Sequence, residues 1–471
     1  MNRREFIARS ALAAAALGTP AAGQEPVVGV TVRRGPSLLT IPPDFMGLGY
    51  EISSVARPGL MSSANAVYVQ LVQTLGARGV LRVGGNTADY ARYTAAGPAV
   101  SSPYGTVVDD AGLRELGGFL QATGWKLIWA LNLGSGSETE VVAEAGAVTG
   151  IAGERLLAFE IGNEPDLFSR EKHRPPGYGY EQWLADYRRF KRALRARLPG
   201  IPLAGPDVAG KTDWVPRFAA DEGKDAVLLT HHYYREGQNP GSTIEKLLGI
   251  DAKLQPELDQ LRAASQSCGR PYRICEVNSF SGGGRPGVSD TMASALWVLD
   301  YMFTLTSNGC SGVNMETGVN QLGFISSYSP IGDDEQRHYS ARPEYYGMLA
   351  FSLAGHGDLL PVDVDTNTAA IKAYATRPKE GALVLTLINK GGVPCVVHLN
   401  TASEGREASV TRLYGPAVDA KTGVTLGGAE VTSSGTWKPA KQEPLPVHKG
   451  QVILRMPAFS AAMVTFLPSN S

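Results

Sequence analysis

Cysteine is scarce in this 471-residue chain, and the four present, Cys268, Cys275, Cys310 and Cys395, show no CxxC spacing. That argues against a zinc site of paired thiolates and against a disulfide-framed fold. Cys268 and Cys275 are close enough in sequence for a single bridge, but a small buried hydrophobe is the preferred reading of Cys275. The seven histidines form no HExxH motif, and the acidic run Asp333-Asp334-Glu335 lacks the alternating spacing of a calcium loop, so neither a catalytic metal nor a cofactor is expected. Charge of one sign is not in excess: 44 Lys+Arg stand against 45 Asp+Glu, a net charge of -1, which argues against a dominant attraction to nucleic acid or an anionic membrane. No apolar run reaches the ~20 residues of a membrane span. No Gly-rich phosphate loop follows the first strand-like segment, and repeats or low-complexity linkers are missing.

What is present begins with an export-like start. Arg3-Arg4-Glu5-Phe6-Ile7 is a twin-arginine-like opening, Ser10 to Gly18 is a short Ala-rich apolar run, and Ala21-Ala22-Gly23 offers a cleavage site, so residues 1–23 read as an export signal and the protein as periplasmic or secreted. The remaining length exceeds the roughly 250–300 residues at which one core stops growing, so two domains are expected.

Between residues 45 and 320 eight apolar runs have strand character: 46–53, 80–85, 126–133, 156–164, 202–208, 226–234, 272–279 and 311–318. Segments with helical spacing separate them, as in 181–198, where Trp183, Leu184, Tyr187, Phe190 and Leu194 mostly recur at intervals of three or four. Eight strand–helix units predict an α/β fold, a closed (β/α)8 barrel over residues 45–354. Beyond Gly355 short β-rich runs at 369–375, 382–387, 395–399, 408–414, 451–456 and 461–466 predict a β-sandwich over 355–471. Residues 24–44 contain one more strand-like run, 27–32, expected to pair with that sandwich.

In such a barrel, polar residues that end apolar strands gather at one mouth. The fourth strand closes on Asn163-Glu164-Pro165 and the seventh on Glu276-Val277-Asn278, which puts two carboxyl groups at costly, partly buried positions. Hydrolysis of a glycosidic bond needs such a pair, one to protonate the leaving oxygen and one to attack carbon or activate water.

These strand-end motifs resemble the clan of (β/α)8 retaining glycosidases. Leu81-Arg82-Val83-Gly84-Gly85-Asn86, His231-His232-Tyr233-Tyr234, the loop Glu276 to Gly284 and Arg342-Pro343-Glu344-Tyr345-Tyr346-Gly347 are similar to glycoside hydrolase family 79, which contains heparanase and bacterial β-glucuronidases. The resemblance implies Glu164 as general acid/base and Glu276 as nucleophile. It further implies Asn163 on the sugar 2-hydroxyl, Tyr233 orienting Glu276, and Glu51 and Asn86 on sugar hydroxyls. A uronic carboxylate would be taken by the backbone nest of Gly282 and Gly283 with the Tyr328 hydroxyl. The loop departs from the family pattern at Ser281, where tyrosine is usual; Ser281 leaves a wider pocket, or Phe280 supplies the aromatic wall, or Arg285 pairs with the carboxylate. The expected partner is a glucuronic-acid-containing glycan or glycoside. An exo-acting β-glucuronidase is the leading reading. An endo-acting heparanase-like enzyme, a glycosidase for neutral sugars and a non-catalytic carbohydrate-binding protein are the alternatives.

Overall fold

The computed structural model describes residues 25–467 apart from 96–104, 319–325, 335, 366–369, 379–380 and 402–406. The export-like segment 1–23 lies outside the described residues, as does Ala369 at the start of one expected strand.

Eight parallel strands form the first body: Gly47–Glu51, Val80–Gly84, Lys126–Leu131, Leu156–Ile161, Ala204–Val208, Leu228–Tyr234, Tyr272–Asn278 and Val313–Glu316. Apart from the fourth and fifth, neighbours in sequence are hydrogen-bonded to each other, and the eighth to the first. The seam between the fourth and fifth is closed by the Phe159 N–H donating to Pro202 O at 2.9 Å and a parallel bridge between Phe159 and Leu203. All eight overlap the runs read from the sequence. Every residue of the second, fifth, seventh and eighth strands is buried, the consequence of a sheet covered by its own interior on one face and by helices on the other.

A helix follows each strand: Ala66–Leu75, Asp110–Thr123, Glu138–Ala152, Tyr180–Arg197, Trp214–Glu222, Leu254–Cys268, Met292–Ser307 and Pro343–Ala354. Their starts are encoded locally. Ser137 and Glu140 form a capping box that satisfies orphan N–H groups of the third, and Asp109 accepts from Gly112 N at the second. In Tyr180–Arg197 the buried residues include Trp183, Leu184, Tyr187, Phe190 and Leu194, the stripe expected from spacing.

The second body is a sandwich of antiparallel character. One sheet runs in the order Val362–Val364, Val27–Val32, Cys395–Asn400, Gln451–Met456; the other holds Leu39–Ile41, Gly357–Leu360, Ile371–Arg377, Leu383–Asn389, Ser460–Leu467, Glu407–Tyr414 and Thr425–Leu426. Val27–Val32 lies parallel to Cys395–Asn400, with Val30 opposite Leu399. Val28, Val30 and Val32 enter the sandwich core. In Leu383–Asn389 the two-residue period divides the strand between two cores: Leu383, Leu385 and Leu387 pack in the sandwich, Val384 and Ile388 against the barrel. The four cysteines are free thiols, and Cys275 is a fully buried strand residue.

Candidate active site

The C-terminal ends of the barrel strands surround a cavity of about 740 Å³, within the range of small-molecule sites. Its floor is organised by Arg82, which points inward from the second strand and has no solvent exposure. Its Nε donates to Glu160 at 3.0 Å, Nη1 to Glu276 Oε2 at 2.7 Å, and Nη2 to Asp207 at 2.6 Å and Asn163 Oδ1 at 2.8 Å. Glycine makes room for this: a Cβ at Gly84 would stand 2.4 Å from Arg82 Cζ. Arg82 stood in the sequence only as part of the family-like segment Leu81 to Asn86, and sequence reasoning gave it no role.

Glu164 follows the fourth strand in a left-handed backbone conformation, φ 48°. For a residue with a side chain this costs free energy and is found where surrounding structure over-determines it, often at functional sites. Its N–H donates to Asp207 O at 2.9 Å, and Oε1 lies 3.0 Å from His232 Nδ1. Burial, with a further push from the charge of Glu276 and a counter-pull from His232, raises its carboxyl to about 7. It is therefore largely protonated below neutrality, where an ordinary glutamate is ionised. Glu276 has both oxygens held, Oε2 by Arg82 and Oε1 by the Tyr234 hydroxyl at 3.0 Å. One oxygen of Glu164 and one of Glu276 lie within 4.8 Å of each other. Such a pair can donate a proton to one atom and present an oxygen nucleophile to its neighbour.

The tyrosine expected to orient Glu276 is corrected by the structure. Tyr233 faces away from the cavity, its hydroxyl donating to Asp251 at 2.5 Å and its ring stacked on Tyr301 at 5.2 Å. Tyr234 holds Glu276 instead. Side chains alternate along a strand, so His232 and Tyr234 face inward while His231 and Tyr233 face the helices. His231 meets Thr212 at 3.1 Å, and burial beside the neighbouring His232 drives its pKa down to about 3.

Glu51 borders the cavity, accepting from Thr87 N at 2.7 Å, Thr87 Oγ1 at 2.6 Å and Asn86 N at 3.2 Å. Burial and the nearby charge of Glu276 raise it to about 7. Asn86 lines the cavity, whereas Asn163 sits directly behind it, its Nδ2 donating to Asn86 Oδ1 at 3.4 Å. Asp89 fixes this layer by accepting from the N–H groups of Leu133, Gly134 and Asn163.

On the opposite side Gly282 and Gly283 line the cavity with Tyr328. Gly282, Gly283 and Gly284 have φ of 76°, 89° and 80°, a run that side chains would strain. Gly282 O accepts from Gln238 Nε2 and Gly283 O from Ser327 N, while no acceptor among the described residues takes the Gly282 or Gly283 N–H. The Tyr328 ring stacks on Tyr234 at 6.3 Å, and Asn278 Nδ2 ties down Tyr328 O at 3.2 Å. Ser281 lines the cavity; Phe280 is fully buried in the barrel core and Arg285 is absent from the lining, so neither takes the place of an aromatic wall or a carboxylate clamp. Arg170, Glu171, Glu236 and Glu316, none singled out from sequence, also face the cavity.

Two groups of potential ligand atoms, Glu164–His232–Glu276 and Glu160–Asp207–Cys275, are compact. Both are already engaged by the Arg82 guanidinium, whose fixed positive charge opposes a metal ion. Among the described residues no helix is long and apolar enough to cross a membrane.

No protein-family model matches the chain. A β-glucuronidase of Aspergillus niger is 29% identical over 388 residues, covering 74% of this chain and 69% of that protein. A β-glucuronidase of Neurospora crassa is 30% identical over 350 residues, covering 65% of this chain and 60% of the relative, so the alignment spans less than two thirds of that protein's length. In fold, the chain is similar to a 4-O-α-L-rhamnosyl-β-D-glucuronidase from Fusarium oxysporum 12S, with a TM-score of 0.79, 20% identity and coverage of 93% of this chain and 100% of the other.

Proposed function

We propose that the chain is a member of glycoside hydrolase family 79, the family of β-glucuronidases and heparanase, as its similarity to two β-glucuronidases and a heparanase supports, and that it acts as a retaining exo-β-glucuronidase removing terminal β-linked glucuronic acid from glycans or glycoconjugates. The observation that supports its retaining chemistry is that one oxygen of Glu164 and one of Glu276 lie within 4.8 Å of each other at the cavity floor. Retaining glycosidases hold their carboxyl groups roughly 5–5.5 Å apart, whereas inverting ones leave roughly 6.5–9.5 Å for a water.

In the first step a Glu276 oxygen attacks the anomeric carbon while Glu164, kept protonated by burial, gives its proton to the departing oxygen. In the second, Glu164 as carboxylate takes a proton from water, which attacks the same carbon and releases Glu276. The uronic carboxylate is received by the Gly282 and Gly283 N–H groups and the Tyr328 hydroxyl. This suits a cavity rich in glutamates, because backbone donors supply positive potential without a mobile cation that those acids would capture. Glu51 and Asn86 take sugar hydroxyls, with Asn163 acting from behind Asn86.

We further assign residues 1–23 as an export signal delivering the enzyme to the periplasm or medium, 45–354 as the catalytic barrel, and 24–44 with 355–471 as the sandwich. A panel of nitrophenyl glycosides tests the substrate: turnover of the β-glucuronide well above the xyloside and arabinofuranoside is expected, and preference for a neutral sugar would refute uronate recognition. Glu276→Gln should abolish that turnover with the fold intact.

A further inference from the structure

His232 is wholly buried on the sixth strand between three acids. Its Nε2 is 2.7 Å from Asp207 Oδ1, and its Nδ1 is 3.0 Å from Glu164 Oε1 and 3.8 Å from Glu276 Oε2. Both ring nitrogens thus face carboxyl oxygens, yet a neutral imidazole has only one N–H to give. The other charged or titratable groups around it are Arg82, 3.4 Å from Nε2, and Glu160 and Cys275 clustered with Asp207; His231 points outward. Burial works against a cation here, but the charges of Asp207 and Glu276 outweigh it and hold His232 protonated well above the ordinary imidazole range. Burial likewise disfavours the Asp207 anion, but Arg82 and His232 prevail and keep it far below the usual carboxylate range.

A double displacement moves one negative charge back and forth without changing its amount. At rest it lies on Glu276, with the proton on Glu164. When a Glu276 oxygen bonds to the anomeric carbon and the bond to the leaving oxygen breaks, Glu164 gives up its proton and acquires the charge. When water attacks and the ester to Glu276 breaks, the water's proton goes to Glu164 and the charge returns to Glu276.

Resting on those two roles, we propose that the His232 imidazolium, anchored by Asp207, is a positioning residue that serves as counter-ion to both carboxylates in turn. One cation within 4 Å of each matches a pair whose total charge is constant. With its Nδ1–H on Glu164 Oε1, the acid proton is confined to Oε2, which is left for the leaving oxygen. His232 itself, without exposure, touches no substrate.

The test has two arms on the full-length protein. Nitrogen-15 spectra of the imidazole rings, with the other histidines assigned by Gln variants, should show hydrogen on both His232 nitrogens throughout pH 5–8, where an unperturbed imidazole loses one. A neutral His232 tautomer at pH 7 overturns the proposal, whatever the enzyme hydrolyses. In His232→Gln each carboxylate loses a nearby cation, so both limbs of the kcat/KM bell should move to higher pH by roughly 1–3 units. Lower activity with both limbs in place means a structural role and also overturns it. Failure of the unsubstituted protein to cleave any glycoside would instead overturn the roles of Glu164 and Glu276, and with them the alternation, while the spectra still decide whether His232 is a cation.

Discussion

Replacing Tyr234 by phenylalanine removes one hydroxyl, and with it the bond to Glu276 Oε1 at 3.0 Å. The ring that stacks on Tyr328 remains, and Arg82 still holds Oε2. A hydrogen bond to a charged group contributes about 1.5–3 kcal/mol, which at about 1.36 kcal/mol per factor of ten corresponds to roughly a 10–150-fold loss. Because Tyr234 acts on the attacking carboxylate, the loss should fall on kcat in nitrophenyl β-glucuronide hydrolysis, with KM little changed. Tyr233→Phe is the control. It deletes a bond to Asp251 on the helix side of the strand, so its activity should stay within about twofold, with a stability change of about 0.5–1.5 kcal/mol. An inactive Tyr233→Phe beside a fully active Tyr234→Phe would refute the assignment of the two faces of this strand.

Other outcomes follow from burial and close contact. Since Glu164 must carry a proton to act and its carboxyl sits at about 7, kcat/KM should fall on the alkaline side of neutrality in a pH profile; a flat profile from pH 6 to 9 would contradict this. Glu144 lies buried against Trp129, whose Nε1 donates to it at 2.8 Å, and burial raises its carboxyl from 4.5 to about 8. The folded state then keeps a proton the unfolded chain loses above pH 4.5, so its contribution is most favourable at low pH and declines as pH rises to about 8. Glu144→Gln, which can accept the same bond, should stabilise the protein by about 3 kcal/mol at pH 7 and by little at pH 4; a urea titration showing the same difference at both would count against this. Gly85 has φ 68°, and a Cβ there would stand 2.4 Å from Glu51 Cδ, so Gly85→Ala should displace Glu51 and raise KM for the glucuronide; an unchanged KM would remove Glu51 from the sugar site.

The eight barrel strands were readable because each is a short apolar run, and the mouth was readable because Glu164 and Glu276 interrupt such runs where polarity is costly. The inward face of His231-His232-Tyr233-Tyr234 was not. Two histidines followed by two tyrosines look alike in either phase of a two-residue period, and register shifts beside His231 and His232 loosen any count from neighbouring strands. Arg82 escaped for a different reason. Its partners Glu160, Asn163, Asp207 and Glu276 lie 78 to 194 residues away, and only barrel closure makes them neighbours. Phe280, one residue from Ser281, lies past the end of the seventh strand at Asn278 and is buried in the core, where no strand period read from the sequence would have placed it.

The strand Leu383–Asn389 gives alternate side chains to two cores, and this couples the thermodynamics of the whole molecule. Neither body can melt while the other stays dry, because losing the strand strips Val384 and Ile388 from one and Leu383, Leu385 and Leu387 from the other. Heat should therefore dissolve barrel and sandwich in one cooperative transition, and a cut near residue 355 should yield a barrel with an exposed apolar flank that aggregates instead of a free-standing enzyme.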